Sequence, residues 1–451
     1  MTPPPPADLA RRIVALMERS IVPGVALGLV DGDGESLHGW GLTNVDHPLP
    51  VDADTVFEIA SITKTMTATV AARLAADGRL DLDAPVRRYL ADFRVADDAV
   101  SEHVTVRDLF THTAGWFGEY LPHDTDGPDG LAAAVASLAT LEQVSPRGVF
   151  SYNNVSLTVA GRVIEVVAGG RYVDVMRELL FAPLAMTRST FDPRDVLYER
   201  LAAGHTVRDG KPVRVRARLA DGHAGDPAGG VRSTVRDLLG YARFHIGDGS
   251  APDGARVLPA GDLAAMRAPR VATGTGGHVG LSWMLEERGG TVIASHGGAT
   301  VAHMSQLVLV PARGAAFVIL TNGANGARLC AELGEWLLQT WLGLPARAVA
   351  VALAVQPDLA LYAGRYQAPL SDIDLAPEGG GLVLRLTWKG SVAERPPPPL
   401  LQLAFTAPDI VRAVAGDPPP TGDFIRDADG AIAYLRWGGR ARLKVGQRPS
   451  P

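Results

Sequence analysis

The alternation of apolar and polar residues predicts a helix, a hairpin and a second helix at the start of the chain. In residues 7–19, apolar side chains recur every three or four positions, as on one face of a helix. Two apolar runs, 25–30 and 36–42, flank the sequence DGDGE, which is typical of a hairpin turn. A second helix is expected over 61–76, because an Asp-Gly pair follows it as a common stop signal.

The middle of the chain has a helical pattern, and the region after it alternates like strands. Helices are expected at 105–112, 131–142, 155–168, 171–181 and 234–246. Strands are expected at 279–285, 291–296, 305–311 and 315–322. A last amphipathic helix is expected over 326–343. Strands at both ends with helices between them predict an α+β fold, in which one antiparallel sheet built from both termini packs against a helical insert.

The pattern changes again near residue 350. Residues 356–451 contain short alternating strands and turns rich in glycine and proline, with no convincing helix. This is the pattern of a small all-β barrel or sandwich. A chain of 451 residues is also longer than a typical domain with a single hydrophobic core. We therefore expect two domains, residues 1–347 and residues 356–451.

Composition narrows the class of protein. The apolar fraction of 47% is that of an ordinary globular protein, and a net charge of −6 without a basic run excludes a nucleic-acid partner. The single cysteine, Cys330, excludes an internal disulfide and lies on an apolar helix face, so we expect a buried thiol. No apolar run is long enough to span a membrane, and prolines interrupt the start of the chain. We expect a cytoplasmic protein without a metal or cofactor.

The first candidate for chemistry is Ser61 with Lys64, in the sequence FEIASITKTM. The chain has only four lysines, and this one lies three residues after a serine, so both side chains share a helix face. Burial would lower the pKa of Lys64 enough for it to take a proton from Ser61. The same spacing also suits a capping serine and a lysine that extends to solvent.

The second candidate is the turn SYNN, at 151–154, before the predicted helix at 155–168. Tyr152 would act as a general base if a nearby cation such as Lys64 lowered its pKa. Asn154 would orient that lysine and hydrogen-bond a substrate amide. Taken alone, a turn of this composition is also a common helix cap.

The third candidate is SHGGAT, at 295–300, at the end of a predicted strand. Gly297 and Gly298 would let a substrate backbone approach the strand closely. The N–H of Ala299, together with that of Ser61, would form an oxyanion hole. His296 would donate to Tyr152 or to the leaving group.

Together, the ordered triplets SITK, YNN and HGG resemble the penicillin-binding-protein and class C β-lactamase superfamily of serine hydrolases. Longer stretches are similar as well, among them VTVRDLFTHTAGW and PAGGVRSTVRDLLGYARF, so the resemblance covers most of residues 8–345. It implies that Ser61 is the nucleophile, that Lys64 and Tyr152 share the base role, and that Asn154 assists the substrate. Class C β-lactamases carry a lysine where this chain has His296, which favours the esterase and peptidase branches.

The C-terminal region resembles the lipocalin-like domain appended to some members of that superfamily. In YLRWGGRARL, two glycines predict a hairpin turn with Trp437 and Arg440 beside it. If this turn faces the catalytic cleft, Arg440 or Arg436 would bind a substrate carboxylate or carbonyl, with Trp437 alongside. An exposed hairpin on a stabilising module is the alternative.

The resemblance implies an acyl-enzyme mechanism and several substrate classes. Closest in kind are the stand-alone penicillin-binding-protein-type thioesterases, which release and macrocyclise nonribosomal peptides. We therefore expect a peptidyl thioester with a D-configured last residue, carried on the phosphopantetheine arm of a carrier protein. The alternatives are a D-specific aminopeptidase, amidase or esterase acting on a small peptide or ester, and a non-catalytic ligand sensor.

Overall fold

A computed structural model of the protein describes residues 6–32, 34–119, 127, 129–216, 223–348, 350–416 and 419–446. The strands before residue 341 are β1 (Gly24–Asp31), β2 (Gly34–Gly41), β3 (Val56–Glu58), β4 (His205–Arg208), β5 (Lys211–Arg214), β6 (Arg232–Thr234), β7 (Val271–Ala272), β8 (His278–Val279), β9 (Met284–Arg288), β10 (Thr291–Ala299), β11 (Met304–Val310) and β12 (Ala315–Thr321).

Helices precede, follow and separate these strands. They are α1 (Pro6–Ser20), α2 (Thr63–Ala76), α3 (Asp98–His103), α4 (Val106–Thr111), α5 (Gly130–Ala136), α6 (Val155–Ala168), α7 (Tyr172–Met176), α8 (Asp226–Gly229), α9 (Val235–Ile246), α10 (Ala260–Met266) and α11 (Gly326–Thr340). A 3₁₀ turn, Ala60–Ile62, leads directly into α2.

The predicted sheet from both termini is confirmed. Eight strands pair in the order β2-β1-β12-β11-β10-β9-β8-β7, so the N-terminal hairpin joins the C-terminal strands through β1 and β12. One face of the sheet packs on the helical insert, which includes α2, α6 and α9, and the other face packs on α1 and α11. Because both faces are covered, β12 is buried at every position rather than at alternate ones. The result is an α+β sandwich of helices, sheet and helices.

One predicted strand is wrong. The run at 279–285 is not continuous, since β8 ends at Val279 and β9 begins at Met284. Between them Ser282 has a φ of 59°, and its N–H donates to the carbonyl of Phe110 at 2.9 Å. A tertiary hydrogen bond therefore breaks an apolar run that local pattern reads as one strand.

The predicted C-terminal barrel is confirmed. Eight antiparallel strands close on themselves, β20 pairing with β13. They are β13 (Gly364–Ala368), β14 (Ser371–Glu378), β15 (Gly381–Trp388), β16 (Leu401–Ala407), β17 (Ile410–Ala413), β18 (Thr421–Arg426), β19 (Ile432–Trp437) and β20 (Arg440–Lys444). Buried apolar and aromatic side chains, such as Tyr366, Phe405 and Phe424, fill the interior. The barrel is thus a packed core.

The segment between the two parts contains no helix or strand among its described residues. It runs from the end of α11 to a short 3₁₀ turn, Leu359–Leu361, before β13. The domain limits at 347 and 356 remain predictions. Among the described residues, no helix has both the length and the apolar character needed to cross a bilayer.

Candidate active site

Ser61 lies in the 3₁₀ turn that opens α2, and this turn is strained. Ala60 has a φ of 48°, in the left-handed region that residues other than glycine rarely adopt. Such a residue costs about 1–3 kcal/mol and persists only where its surroundings hold it. Here the carbonyl of the preceding residue, Ile59, accepts a hydrogen bond from Ser305 Oγ at 2.9 Å, and the Ile59 N–H donates to Val231. The turn therefore presents Ser61, which is partly exposed, from a fixed position.

Lys64 is fully buried and lies beside Ser61, as predicted. Its Nζ is 3.0 Å from Ser61 Oγ and 2.6 Å from the carbonyl oxygen of Ala228. Burial, and then the positive charge of Arg440, hold the pKa of Lys64 well below its usual value. An uncharged amine has two N–H groups and one lone pair. Donating one N–H to Ala228 leaves the lone pair available to receive the Ser61 proton.

The electrostatics favour Lys64 over Tyr152 as the base. The Tyr152 hydroxyl is close enough to Ser61 for that hydroxyl to act on its pKa, and Lys64 Nζ and the Arg440 guanidinium carbon each lie 5.1 Å from the centre of its ring. Burial nevertheless raises the pKa of Tyr152 to about 12, outweighing Ser61 and Arg440, which lower it. The phenol is thus protonated at neutral pH. It is placed to relay a proton rather than to remove the first one.

In the turn before α6, the capping role and the cleft-facing role fall on different asparagines. Asn153 Oδ1 accepts the N–H of Ser156 at 2.8 Å, and its Nδ2 donates to the carbonyl of Trp116 at 2.8 Å. Asn154 makes no side-chain cap and lines the cleft that contains Ser61. The cap interpretation therefore applies to Asn153, which leaves the Asn154 amide available to a substrate.

His296 is buried beside Tyr152, and its tautomer corrects the prediction that it donates. Its Nδ1 lies 2.6 Å from the carbonyl oxygen of Gly297, which accepts, so the proton is on Nδ1. Burial, then the charge of Lys64, lower the pKa of His296 to about 3, so the ring is neutral. Its Nε2 is buried without a hydrogen-bond partner among the described residues. That nitrogen can therefore only accept a hydrogen bond. The centre of the His296 ring lies 6.1 Å from the centre of the Tyr152 ring.

Of the two glycines of the third motif, Gly298 has a role other than the predicted one. A Cβ atom on Gly298 would lie 2.1 Å from the carbonyl oxygen of Ile59, so this glycine lets β10 pack against the Ser61 turn. A Cβ on Gly297 would meet nothing closer than 3.6 Å. Gly298 therefore serves the approach of two protein segments rather than the approach of a substrate.

Strand pairing aims the N–H of Ala299 toward the Ser61 side. The N–H of Thr300 donates to the carbonyl of His303 at 2.9 Å, and this bonded pair lies in the turn, one position beyond the last ladder pair, Ala299 and Met304. Bonded and non-bonded pairs alternate, so the Ala299 N–H points away from β11. Strand β9 pairs with β10 only as far as Ser295, which leaves that side open. Ser61 and Ala299 line one cleft of about 1050 Å³, as an oxyanion hole requires.

The barrel reaches the site through the β19–β20 hairpin. Its turn residues, Gly438 and Gly439, have φ values of 59° and 78°, as in a two-residue type I′ turn. The Gly439 carbonyl accepts the Tyr152 N–H at 2.8 Å, and the Ala441 N–H donates to Ser151 Oγ at 3.1 Å. The hairpin tip thus holds the backbone of the turn that carries Tyr152.

Of the three C-terminal residues predicted to bind substrate, only Arg440 lies at the site. Its guanidinium stacks over Tyr152 and pairs with Glu119 at 2.9 Å. Arg436 instead forms a buried ion pair with Asp423 at 2.6 Å and donates to the carbonyl of Phe150 at 2.8 Å. Trp437 packs in the barrel core. For Arg436 and Trp437, a structural role replaces the predicted substrate contact.

Two groups at the site were not singled out from the sequence. His112 is fully buried, its Nδ1 accepts the N–H of Asn153 at 3.2 Å, and its ring lies 4.7 Å from that of Tyr152. Burial, then Lys64, hold the pKa of His112 well below its usual value, so it is a neutral support for the turn. Its stretch, THTAGW, carried a signal through the family resemblance. The Ala228 carbonyl had none, because a backbone atom leaves no mark on residue type.

The chain is similar to several known proteins. The family model described as Beta-lactamase matches residues 9–338. Penicillin-binding protein 4 of Amycolatopsis lactamdurans is 34% identical over 378 residues, which cover 80% of this chain and 97% of that protein. The unguisins hydrolase ungD' of Aspergillus campestris (strain IBT 28561) is 26% identical over 336 residues, and the match spans 70% of this chain and 61% of the hydrolase.

Among solved structures, that of SurE superposes with a TM-score of 0.79 at 26% identity, covering 97% of this chain and 99% of SurE. A structure of SurE with D-Leu gives a TM-score of 0.77 over the same shares. A class C β-lactamase from Rhodobacter sphaeroides has the same fold over 73% of this chain and 99% of its own, with a TM-score of 0.61. With the serine, lysine and tyrosine in contact and the family model matched over most of the chain, the protein belongs to the β-lactamase and penicillin-binding-protein family of serine hydrolases.

Proposed function

We propose that the protein is a serine acyltransferase that releases a nonribosomal peptidyl thioester and closes it head to tail into a ring. The last residue of the peptide has the D configuration, and a carrier protein presents it on a phosphopantetheine arm. The alternative is a D-specific aminopeptidase, amidase or esterase with the same machinery.

The site supports an acyl-enzyme mechanism. Ser61 attacks the thioester carbonyl carbon while Lys64 receives its proton, and the oxyanion forms against the N–H groups of Ser61 and Ala299. As the carbon–sulfur bond breaks, Tyr152 passes a proton to the leaving thiol and is reprotonated from Lys64. The peptide amine then attacks the ester, a carbon–nitrogen bond forms, and the proton lost by nitrogen returns to Ser61 through the same pair.

The likeness to SurE across both domains is the observation that carries the proposal. That structure covers 97% of this chain, barrel included, and it has been solved with a D-amino acid. The class C β-lactamase covers 73%. The barrel supplies Arg440 beside Tyr152. A substrate-binding centre to which the barrel contributes therefore fits SurE better than it fits the β-lactamase. An arginine there suits a carboxylate or peptide carbonyl.

One observation favours the hydrolytic alternative. The unguisins hydrolase is also similar, at 26% identity. The two outcomes differ only in the nucleophile that meets the acyl-enzyme, since water gives hydrolysis and the peptide amine gives a ring. The machinery up to the acyl-enzyme is shared.

A synthetic peptidyl thioester tests the proposal. A pair of substrates that differ only in a D or L last residue is incubated with the protein, and mass spectrometry separates cyclic from linear product. We expect a cyclic product from the D substrate, little turnover of the L substrate, and none with Ser61→Ala. Only linear product from either substrate, together with turnover of D-alanyl amide or a nitrophenyl ester, would support the hydrolase instead.

A further inference from the structure

A partly buried carboxylate lies in the wall of the cleft that contains Ser61 and has no role in the mechanism above. Asp226, the first residue of α8, and His223 both line the cleft that contains Ser61. Asp226 Oδ2 lies 2.8 Å from His223 Nδ1. Among the described residues, the His223 imidazole is the ion-pair partner of Asp226 within contact distance. The charge of Arg232 acts on the Asp226 carboxylate from further away.

The segment that carries Asp226 is fixed to the nucleophile's helix. The carbonyl of Pro227 accepts a hydrogen bond from Thr67 at 2.7 Å, and that of Ala228 accepts one from Lys64 at 2.6 Å. A Cβ on the next residue, Gly229, would lie 3.6 Å from the carbonyl carbon of Ala60. Two consecutive carbonyls of α8 thus bond side chains that lie one turn apart on α2. These bonds fix the position of Asp226 on the Ser61 side of the cleft.

This carboxylate is in an environment that a cation would improve. Its side chain is 14% exposed, and burial raises the pKa of Asp226 more than His223 lowers it. Glu58, another acid in the cleft, has Arg232 at 3.8 Å. An ammonium group from the cleft side would offset the cost of burying the Asp226 carboxylate.

We propose that Asp226, with His223, is the site that receives the attacking amine in its ammonium form. The inference rests on the proposed function, in which an amine must meet the acyl-enzyme. The ammonium binds the carboxylate and gives its extra proton to the Asp226–His223 pair, which releases it to solvent. The neutral amine then attacks the ester carbon, the bond to Ser61 Oγ breaks, and the second nitrogen proton passes through Tyr152 and Lys64 to that oxygen. An amine and an ester become an amide and a serine hydroxyl.

Acyl transfer from a simple ester separates this site from the rest of the machinery. The acyl-enzyme is formed from the nitrophenyl ester of an N-acetylated D-residue and is offered either an amino-acid amide, which carries an ammonium, or hydroxylamine, which is uncharged near neutral pH. The ratio of acyl transfer to hydrolysis is measured for each acceptor. Asp226→Asn keeps the size of the side chain and its hydrogen bond to His223.

We expect Asp226→Asn to lower the transfer ratio for the charged acceptor about tenfold or more, the loss of a charge-assisted hydrogen bond. The ratio for hydroxylamine and the burst of nitrophenol should stay the same. His223→Gln should give the same selective loss, smaller in size, and Asp174→Asn, on the surface outside the cleft, should change neither ratio. Equal losses with both acceptors, or no loss with either, would overturn the inference. Failure of the proposed function is distinguishable, because the wild type would then transfer acyl groups to these acceptors yet yield no ring from a peptidyl thioester.

Discussion

Arg440→Met removes a positive charge that acts on Lys64, the proposed catalytic base. Lys64 Nζ and the guanidinium carbon of Arg440 each lie 5.1 Å from the centre of the Tyr152 ring. They are therefore at most about 10 Å apart, and at an effective dielectric constant of about 20 their repulsion is about 1.6 kcal/mol at that distance. That energy changes the protonation equilibrium of Lys64 by roughly fifteenfold. The repulsion disfavours the ammonium, so without Arg440 the pKa of Lys64 rises and the base stays protonated to higher pH.

The assay is the pH dependence of kcat/KM for a small, uncharged nitrophenyl ester, which offers Arg440 no carboxylate to bind. We expect the acidic limb of the profile to move to higher pH in the variant. On that limb activity should fall roughly fifteenfold, while the plateau at higher pH should be retained. Arg440 also pairs with Glu119, whose carboxylate would otherwise remain and favour the ammonium further. Comparing the double variant Arg440→Met with Glu119→Gln against Glu119→Gln alone isolates the effect of the arginine.

An acidic limb that stays in place while activity falls equally at every pH would refute this reasoning. Arg440 would then act through the position of the hairpin, and the low pKa of Lys64 would come from burial alone.

The remaining predictions are tested with matched pairs of variants. Gly298→Ala should lower both kcat/KM, by about tenfold or more, and the melting temperature, because its Cβ has no room, whereas Gly297→Ala should change neither. Asn153→Ala should lower the free energy of unfolding by about 1–2 kcal/mol in urea titrations, because a helix cap is lost. Asn154→Ala should instead reduce kcat/KM with little change in unfolding, and the reverse pattern would contradict the division of roles between the two asparagines. Ser61→Ala should abolish both turnover and the mass increase produced by a fluorophosphonate.

Much of the fold and the catalytic group followed from local signals. The helix after Ser61, the strand that ends at the third motif and the Gly-Gly hairpin each have a pattern or turn residue that specifies them. Their spacing also brought Ser61 and Lys64 onto one helix face, which the 3.0 Å contact confirms. Local signals suffice where a short segment fixes its own geometry.

The predictions that were wrong or left open depended on contacts between residues far apart in the sequence. The bend at Ser282 follows from a bond to Phe110, 172 residues away. Whether Lys64 or Tyr152 is the base depends on burial, which raises one pKa and lowers the other, and burial is a property of the packed molecule. The buried partners of Arg436 could likewise not be predicted, because the alternation of a strand does not indicate which residues its arginine contacts.

The hydrogen bond from Tyr152 to Gly439 has a consequence for the time at which the enzyme becomes active. Gly439 lies far beyond Tyr152 in the chain, so a ribosome makes the turn that carries Tyr152 long before the β19–β20 hairpin that holds it. Until then the Tyr152 turn lacks its backbone partner and Arg440 is absent from the ring. A copy of the chain that stops before the β19–β20 hairpin therefore lacks both the backbone partner of Tyr152 and the arginine over its ring.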